Sequence, residues 1–334
     1  MKKTYIIAEM ACSHEGKPEL ARLIIDGAGR AGADAVQFQI WKAGDMVVPH
    51  HPDFPLLQRI ELSRDSWRGL SDHVRGNYPD MEIIACIYEE RSADFALEMG
   101  ADAFKIHSAD LSNPRLIRHV AGMNKRIDLS VGASTLDEIR SALQWIRDVS
   151  KADIWLMYGY QSFPTPTDAI HLNYMITLRD TFALPVGYQD HSDAETEAAF
   201  WLPAATVGMD VEILEKNITH DRSLKGIDHQ AALNPGEFLS FVAMAREIEA
   251  AKGSALSRPF SPEEIRYRKY SKKSIVAARD LAAGTVLCEN DLLFLRPVDL
   301  GLPPDRADLL VGKALRTDLK RFDLVAADDV HGIR

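Results

Sequence analysis

The residues that could do chemistry in this sequence stand at the ends of short strand-forming runs. The stretch EILEKNITHDRSLKGIDH, residues 212 to 229, crowds acids, bases and imidazoles directly behind such a run. Glu9 and Glu215 could act as a carboxylate pair, serving as acid and base, holding a metal or binding sugar hydroxyls. Their structural alternative is an ion pair with Lys105 or Lys216. Lys105, in FKIHSAD, lies on a strand pattern with its side chain directed inward, and a buried ammonium without a partner is costly, so an anion is expected beside it. His191, in GYQDHS, offers a neutral imidazole, the commonest metal ligand, and Asp190 beside it either orients that ring or caps the next helix. Ser130, Ser134 and Thr135 in LSVGAST form a strand-to-helix turn able to meet an anion or to make an ordinary N-cap. The PTP turn at 164–166 is rigid and places Gln161 and Phe163 over a pocket. DRSLKGIDH, 221–229, reads equally as a solvated loop. His50, His51, His73, His171 and His331 fit no usable spacing.

Eight β-branched runs position these groups: 4–9, 34–39, 82–87, 103–108, 126–131, 154–159, 184–189 and 210–215. Amphipathic segments such as PELARLIIDGAGRAG and TLDEIRSALQWIRD lie between them, several closing on a Gly that suits a left-handed cap. Eight strands alternating with helices over roughly 250 residues is the pattern of a (β/α)8 TIM barrel. An open doubly wound sheet is the alternative, but no glycine fingerprint follows the first run. In a barrel the C-terminal strand ends converge on one face. There they gather Glu9, Gln37, Gln39, Tyr88, Glu89, Lys105, His107, Ser108, Ser130, Tyr158 to Gln161, Gln189, Asp190, His191, Glu215 and Asn217.

At 334 residues the chain exceeds one average domain. Residues 1–250 are expected to form the barrel, 251–273 an extended linker, and 274–334 a small β-rich domain that is marginal in size alone and therefore docks on a barrel. The composition, 46% hydrophobic and 26% charged, is that of a globular protein. A net charge of −10 without a Lys/Arg run argues against nucleic acid. Cys12, Cys86 and Cys288 are too scattered for a disulfide framework and read as buried or half-buried thiols. The first apolar run is broken by Glu9, His14 and Glu15, so it is no signal peptide, and no stretch is long enough to span a membrane. A cytoplasmic protein is expected.

These motifs, taken in order, resemble the sialic acid synthase family over nearly the whole chain: IIAEMACSHEG, AFKIHSADLSN, LSVGAST, SFPTP, VGYQDHS and ILEKNITHDRSLKGIDH. From Ser274 the chain resembles that family's antifreeze-like (SAF) domain. The resemblance implies condensation of phosphoenolpyruvate with an N-acylated hexosamine to a nine-carbon 3-deoxy-2-keto acid. It places Glu9, Lys105, Asp110 and Glu215 in catalysis. Gln37, Lys105, Ser108, Ser130, Gln161 and Gln189 would surround phosphoenolpyruvate, and Gln39, Phe163, Asp228 and Arg296 the sugar. His191 and, weakly, Asn217 would hold a divalent ion, Mn or Mg. Arg296 would reach the partner's pocket in a domain-swapped homodimer. Asn217 stands where the family has a metal-binding histidine, and Gln37 where it has a lysine. Asp110 replaces a Glu, and Gln161, Phe163 and Gln189 replace Asn, Tyr and Ser. The metal is therefore expected to be weakly bound or absent. The alternatives are a barrel lyase or aldolase with another donor, and a non-catalytic carbohydrate-binding paralogue.

Overall fold

The structure, a computed structural model, describes residues 3–254 and 256–332. Residues 1–2 of the expected barrel, 255 of the expected linker and 333–334 of the expected small domain lie outside the described residues. Two compact units are present, Met1–Gly253 and Ser254–Arg334.

In the first unit eight parallel strands close into a barrel in sequential order. They are β1 (Tyr5–Glu9), β2 (Ala35–Ile40), β3 (Glu82–Ile87), β4 (Ala103–Ile106), β5 (Arg126–Ser130), β6 (Ile154–Tyr158), β7 (Val186–Asp190) and β8 (Ile213–Asn217). Closure comes from β1 pairing β8 with Glu9 opposite Asn217. The open-sheet alternative is thereby excluded. The last strand begins three residues later than the run at 210–215, because Asp210 takes a left-handed φ of 63° and breaks extended backbone there.

Alternation along each strand divides the core. Ile7, Ala35, Ile84, Ala103, Met157 and Ile213 fill the barrel lumen, whereas Ile6, Val36, Phe104, Leu129 and Leu214 face the helices. The helix Pro18–Ala31 shows why the segments between are helical. It opens on Pro at N1 or N2 and ends at Gly32, whose φ of 79° gives the left-handed cap.

At the N-terminal end of the lumen Arg126 stacks 3.9 Å over Trp155 and 4.9 Å over Tyr5. Its guanidinium pairs with Glu82 at 2.7 Å and with Asp128 at 3.0 Å. This cluster plugs the end away from the strand tips.

In the second unit β9 (Ser274–Ala277) and β10 (Leu292–Leu295) pair antiparallel, around a separate core that includes Ile275, Leu287, Leu310 and Val325. The segment expected to be extended is helical at both ends. The helix Pro235–Lys252 runs into it, and Pro262–Ser271 is a helix with a capping box between Ser261 and Glu264. That helix buries no residue, so the apolar period that would have marked it is missing, and the cap sets its start. Cys288 is exposed rather than buried, its thiol 3.2 Å from an Asp291 oxygen.

Candidate active site at the strand tips

Side chains from six strands meet across the lumen at the C-terminal end. Lys105 Nζ, on β4, lies 2.6 Å from Glu215 Oε1 on β8 and 3.9 Å from Glu9 Oε2 on β1. All three residues are buried. Glu9 Oε1 is held by the Ala11 N–H at 2.5 Å and by the Gln39 amide at 3.3 Å, while Tyr88 donates to the Gln39 carbonyl at 2.9 Å. Gln189, on β7, donates to Glu215 Oε1 at 3.0 Å and accepts from the Ser130 hydroxyl at 3.0 Å. Because β4 and β5 stand across the barrel from β8, these bonds span the mouth.

Burial pushes Glu9 up to about 8, and the charge of Glu215 adds to this against the pull of Lys105. Burial opposes the Lys105 ammonium, but Glu215 and Glu9 together raise its pKa above the ordinary value. The bowl therefore holds a charged lysine against Glu215 and, in Glu9, a carboxyl that keeps its proton at neutral pH. Glu9 Oε2, Glu215 Oε2 and both amide atoms of Gln37 are buried without a hydrogen-bond partner among the described residues. Unmet buried polar atoms are costly, so their convergence marks a place that a polar ligand completes.

His191 is oriented by the Tyr160 carbonyl, 3.0 Å from Nδ1, and not by Asp190. Alternation turns Asp190 to the outer face of β7, where it meets Lys216 Nζ at 2.6 Å and the Tyr188 hydroxyl at 2.9 Å. Lys216 is thus likewise no partner of Glu9 or Glu215. Burial lowers the pKa of His191, so the ring is neutral, its Nδ1 proton goes to Tyr160, and Nε2 keeps its lone pair. The ring of Phe163 packs 4.3 Å from it. Asn217 is buried on the same face of β8 as Glu215. Among the described residues no group of three or more His, Cys, Asp or Glu is arranged to hold an ion. One imidazole and one carboxamide fit a hard divalent ion when substrate oxygens and water complete its shell.

The remaining expected residues are arranged around this bowl unevenly. Asp228 accepts from the Cys12 N–H at 2.9 Å, tying the loop after β8 to the loop after β1. Ser108 and Asp110 form a 3-10 turn after β4, with Asp110 held by Asn113 at 3.2 Å and its pKa raised by burial. Among the described residues Asp110 makes no hydrogen bond or ion pair with Lys105 or Glu215. The Gln161 amide packs against Gly132, where an added Cβ would lie 2.7 Å from Nε2. Thr135 caps the helix Leu136–Arg147 in a capping box with Glu138, so the ordinary N-cap holds there. Arg296 is exposed in the second unit. Tyr160, expected at the end of the sixth strand, acts through its backbone carbonyl, a role that carries no side-chain signal. Sequence reasoning missed the Arg126–Asp128 pair, whose signal was two opposite charges two apart on one strand.

Fold and site together define a (β/α)8-barrel protein with a polar, carboxylate-bearing bowl at the strand tips, followed by a small β unit. Residues 24–257 match the NeuB family and residues 272–331 the SAF domain. The chain belongs to the NeuB family. It is 31% identical over 333 residues to an N,N'-diacetyllegionaminic acid synthase of Legionella pneumophila, covering 94% of this chain and 91% of that one. It is 25% identical to a human N-acetylneuraminate-9-phosphate synthase over 98% of this chain and 93% of that one. An N-acetylneuraminic acid synthetase from Leptospira borgpetersenii, solved with citrate, superposes with a TM-score of 0.73 at 27% identity, covering 80% of this chain and 92% of the other.

Proposed function

We propose that this chain condenses phosphoenolpyruvate with an N-acylated hexosamine to form a nine-carbon 3-deoxy-2-keto sugar acid. The observation that carries the reading is the buried Glu9–Lys105–Glu215 constellation, with its unmet oxygens, at the barrel mouth of a NeuB-family chain. C3 of phosphoenolpyruvate attacks the open-chain aldehyde carbon, water adds at C2, and phosphate leaves from the resulting tetrahedral carbon. Glu9, protonated at neutral pH, gives its proton to the forming alkoxide. Glu215 Oε2 takes the proton of the attacking water. Lys105 holds donor oxygens, helped by Ser108, Ser130 and Gln161, while Gln189 must release Ser130 for that contact to form. Gln39, Phe163, Asp110 and Asp228 position the sugar. His191 and Asn217 would hold a divalent ion, which when bound supplies Lewis acidity for the aldehyde oxygen.

The same reading carries a homodimer in which Arg296 reaches the partner's bowl, working in the cytoplasm. Among the described residues no helix is long and apolar enough to cross a membrane. The test is phosphate release from phosphoenolpyruvate with a panel of N-acylated hexosamines, with manganese and again with chelator. Sugar-dependent release is expected, and none with any sugar from folded protein overturns the reading. A barrel lyase or aldolase with another donor is favoured by one observation, Gln37, which presents a neutral amide with both atoms unmet.

A further inference from the structure

A row of directed hydrogen bonds reaches Glu9 from Tyr88, a residue with no part so far in the condensation. Tyr88 stands just past the end of β3, and alternation puts it on the lumen face with Ile84 and Cys86. Cys86 pairs in register with Gln39 on β2, so the Tyr88 hydroxyl arrives beside the Gln39 amide, 2.9 Å from its carbonyl oxygen. The Gln39 amide N–H in turn meets Glu9 Oε1 at 3.3 Å, where the Ala11 N–H also donates at 2.5 Å.

Each direction in this row is set by what its groups can do. The Tyr88 hydroxyl carries one proton and has two polar neighbours among the described residues, the Gln39 carbonyl and, at 3.8 Å, Cys86 Sγ. The amide oxygen is the stronger acceptor and takes that proton, leaving the weak thiol donor to the hydroxyl oxygen. Among the described residues the Gln39 side chain bonds only to Tyr88 and Glu9. The last torsion of a glutamine is broad and nearly two-fold, so without Tyr88 both senses of the amide are open. The reversed sense would set the Gln39 carbonyl against Glu9 and draw the acid proton to itself, out of the bowl.

With the amide as it stands, Glu9 Oε1 accepts twice, and the proton that burial keeps on this carboxyl belongs on Oε2. Oε2 is buried without a hydrogen-bond partner among the described residues and lies 3.9 Å from Lys105 Nζ. The Tyr88 ring is held independently, edge-on to Trp41 with centroids 6.3 Å apart and 5.6 Å from the ring of His107. Phenylalanine at this position therefore keeps the packing and removes only the hydroxyl.

We propose that Tyr88 is a positioning residue for Glu9: acting through the Gln39 amide, its hydroxyl fixes Oε1 as the held oxygen and Oε2 as the oxygen presented to substrate. That Oε2 gives its proton to the forming alkoxide rests on the condensation proposed above. The placing of Glu9 by Tyr88 does not.

The test sets Tyr88→Phe, Gln39→Leu and the double variant beside the native chain. In the phosphate-release assay Tyr88→Phe is expected to lower kcat about tenfold, as loss of one hydrogen bond gives, with KM for either substrate moved by less than about twofold. In the Gln39→Leu background the same change should cost nothing further, because the path to Glu9 is already cut. An equal loss in both backgrounds, or a loss carried by KM alone, overturns the role. Infrared difference spectra at neutral pH need no turnover: each protein minus its Glu9→Gln counterpart isolates the Glu9 carboxyl stretch. That C=O stretch is expected at higher wavenumber in Tyr88→Phe, since Oε1 loses one donor. A stretch that does not move, or no carboxyl stretch removed by Glu9→Gln, overturns the role whatever the kinetics show. A shifted stretch in a chain that releases no phosphate removes the condensation and leaves the positioning by Tyr88 standing.

Discussion

Among the described residues Lys105 is the one cation that meets both buried carboxyl groups, Glu9 and Glu215. Removing one partner from a buried ion pair leaves the other charge uncompensated, a loss of about 3–5 kcal/mol. Lys105→Met is therefore expected to lower stability by that order and to abolish sugar-dependent phosphate release. Denaturant titration and the release assay check the two effects separately. Glu9 gives a pH signature of its own. Its pKa rises from 4.5 to about 8 on folding, so between those values the folded chain binds more protons than the unfolded one. Stability from this group is present at low pH and is lost as pH climbs through that window, with a slope of at most about 1.4 kcal/mol per unit. Glu9→Gln, which has no proton to lose, should flatten this slope. Denaturation midpoints from pH 5 to 9 showing the same slope in both proteins would remove Glu9 as its source. The placing of Glu9, Lys105 and Glu215 at strand tips was legible because charged residues behind apolar runs are conspicuous. That Glu9 keeps a proton, and that Gln37 has neither amide atom met, depend on burial and on neighbours from other strands, which no local stretch reveals.

At the scale of elements, strand alternation decides which groups meet. It was legible for Lys105 and Glu215, and it assigns Asp190 and Lys216 to the outer face, where they bond to each other at 2.6 Å instead of serving the bowl. The strand runs were visible because fully buried parallel strands read as continuous apolar stretches. Their limits were set by pairing, as with β8, whose register against β1 runs to Asn217. Close contacts between strand tips are also register effects. A Cβ on Gly159 would lie 2.7 Å from the Gln189 Cβ and 2.8 Å from its carbonyl oxygen. Gly159→Ala should therefore push β7 outward, disturbing both the Gln189 bridge and His191. The expected cost is about 1–3 kcal/mol, as for overpacking elsewhere. Thermal melting measures it, and a melting midpoint equal to that of the native protein would show that β7 yields freely.

At the scale of the molecule, a barrel and a small β unit each have a core of their own. The helix Pro262–Ser271 was hidden in the sequence because it buries no residue and carries no apolar stripe. The unit that holds Arg296 also exposes Phe294, Leu295 and Val298 around it, apolar surface suited to docking. The proposed dimer turns on which bowl that arginine serves, and complementation between two dead variants decides it. Arg296→Ala keeps an intact bowl but lacks the arginine, while Lys105→Met keeps the arginine but lacks the bowl. If Arg296 acts across the dimer, a mixed dimer joins the intact bowl of one protomer to the arginine of the other. Half of the dimers formed on random exchange are mixed and each has one working site, so unfolding and refolding the two variants together should restore about a quarter of native activity. If the arginine serves its own barrel, no combination unites the two intact parts, and the mixture stays as inactive as either variant alone.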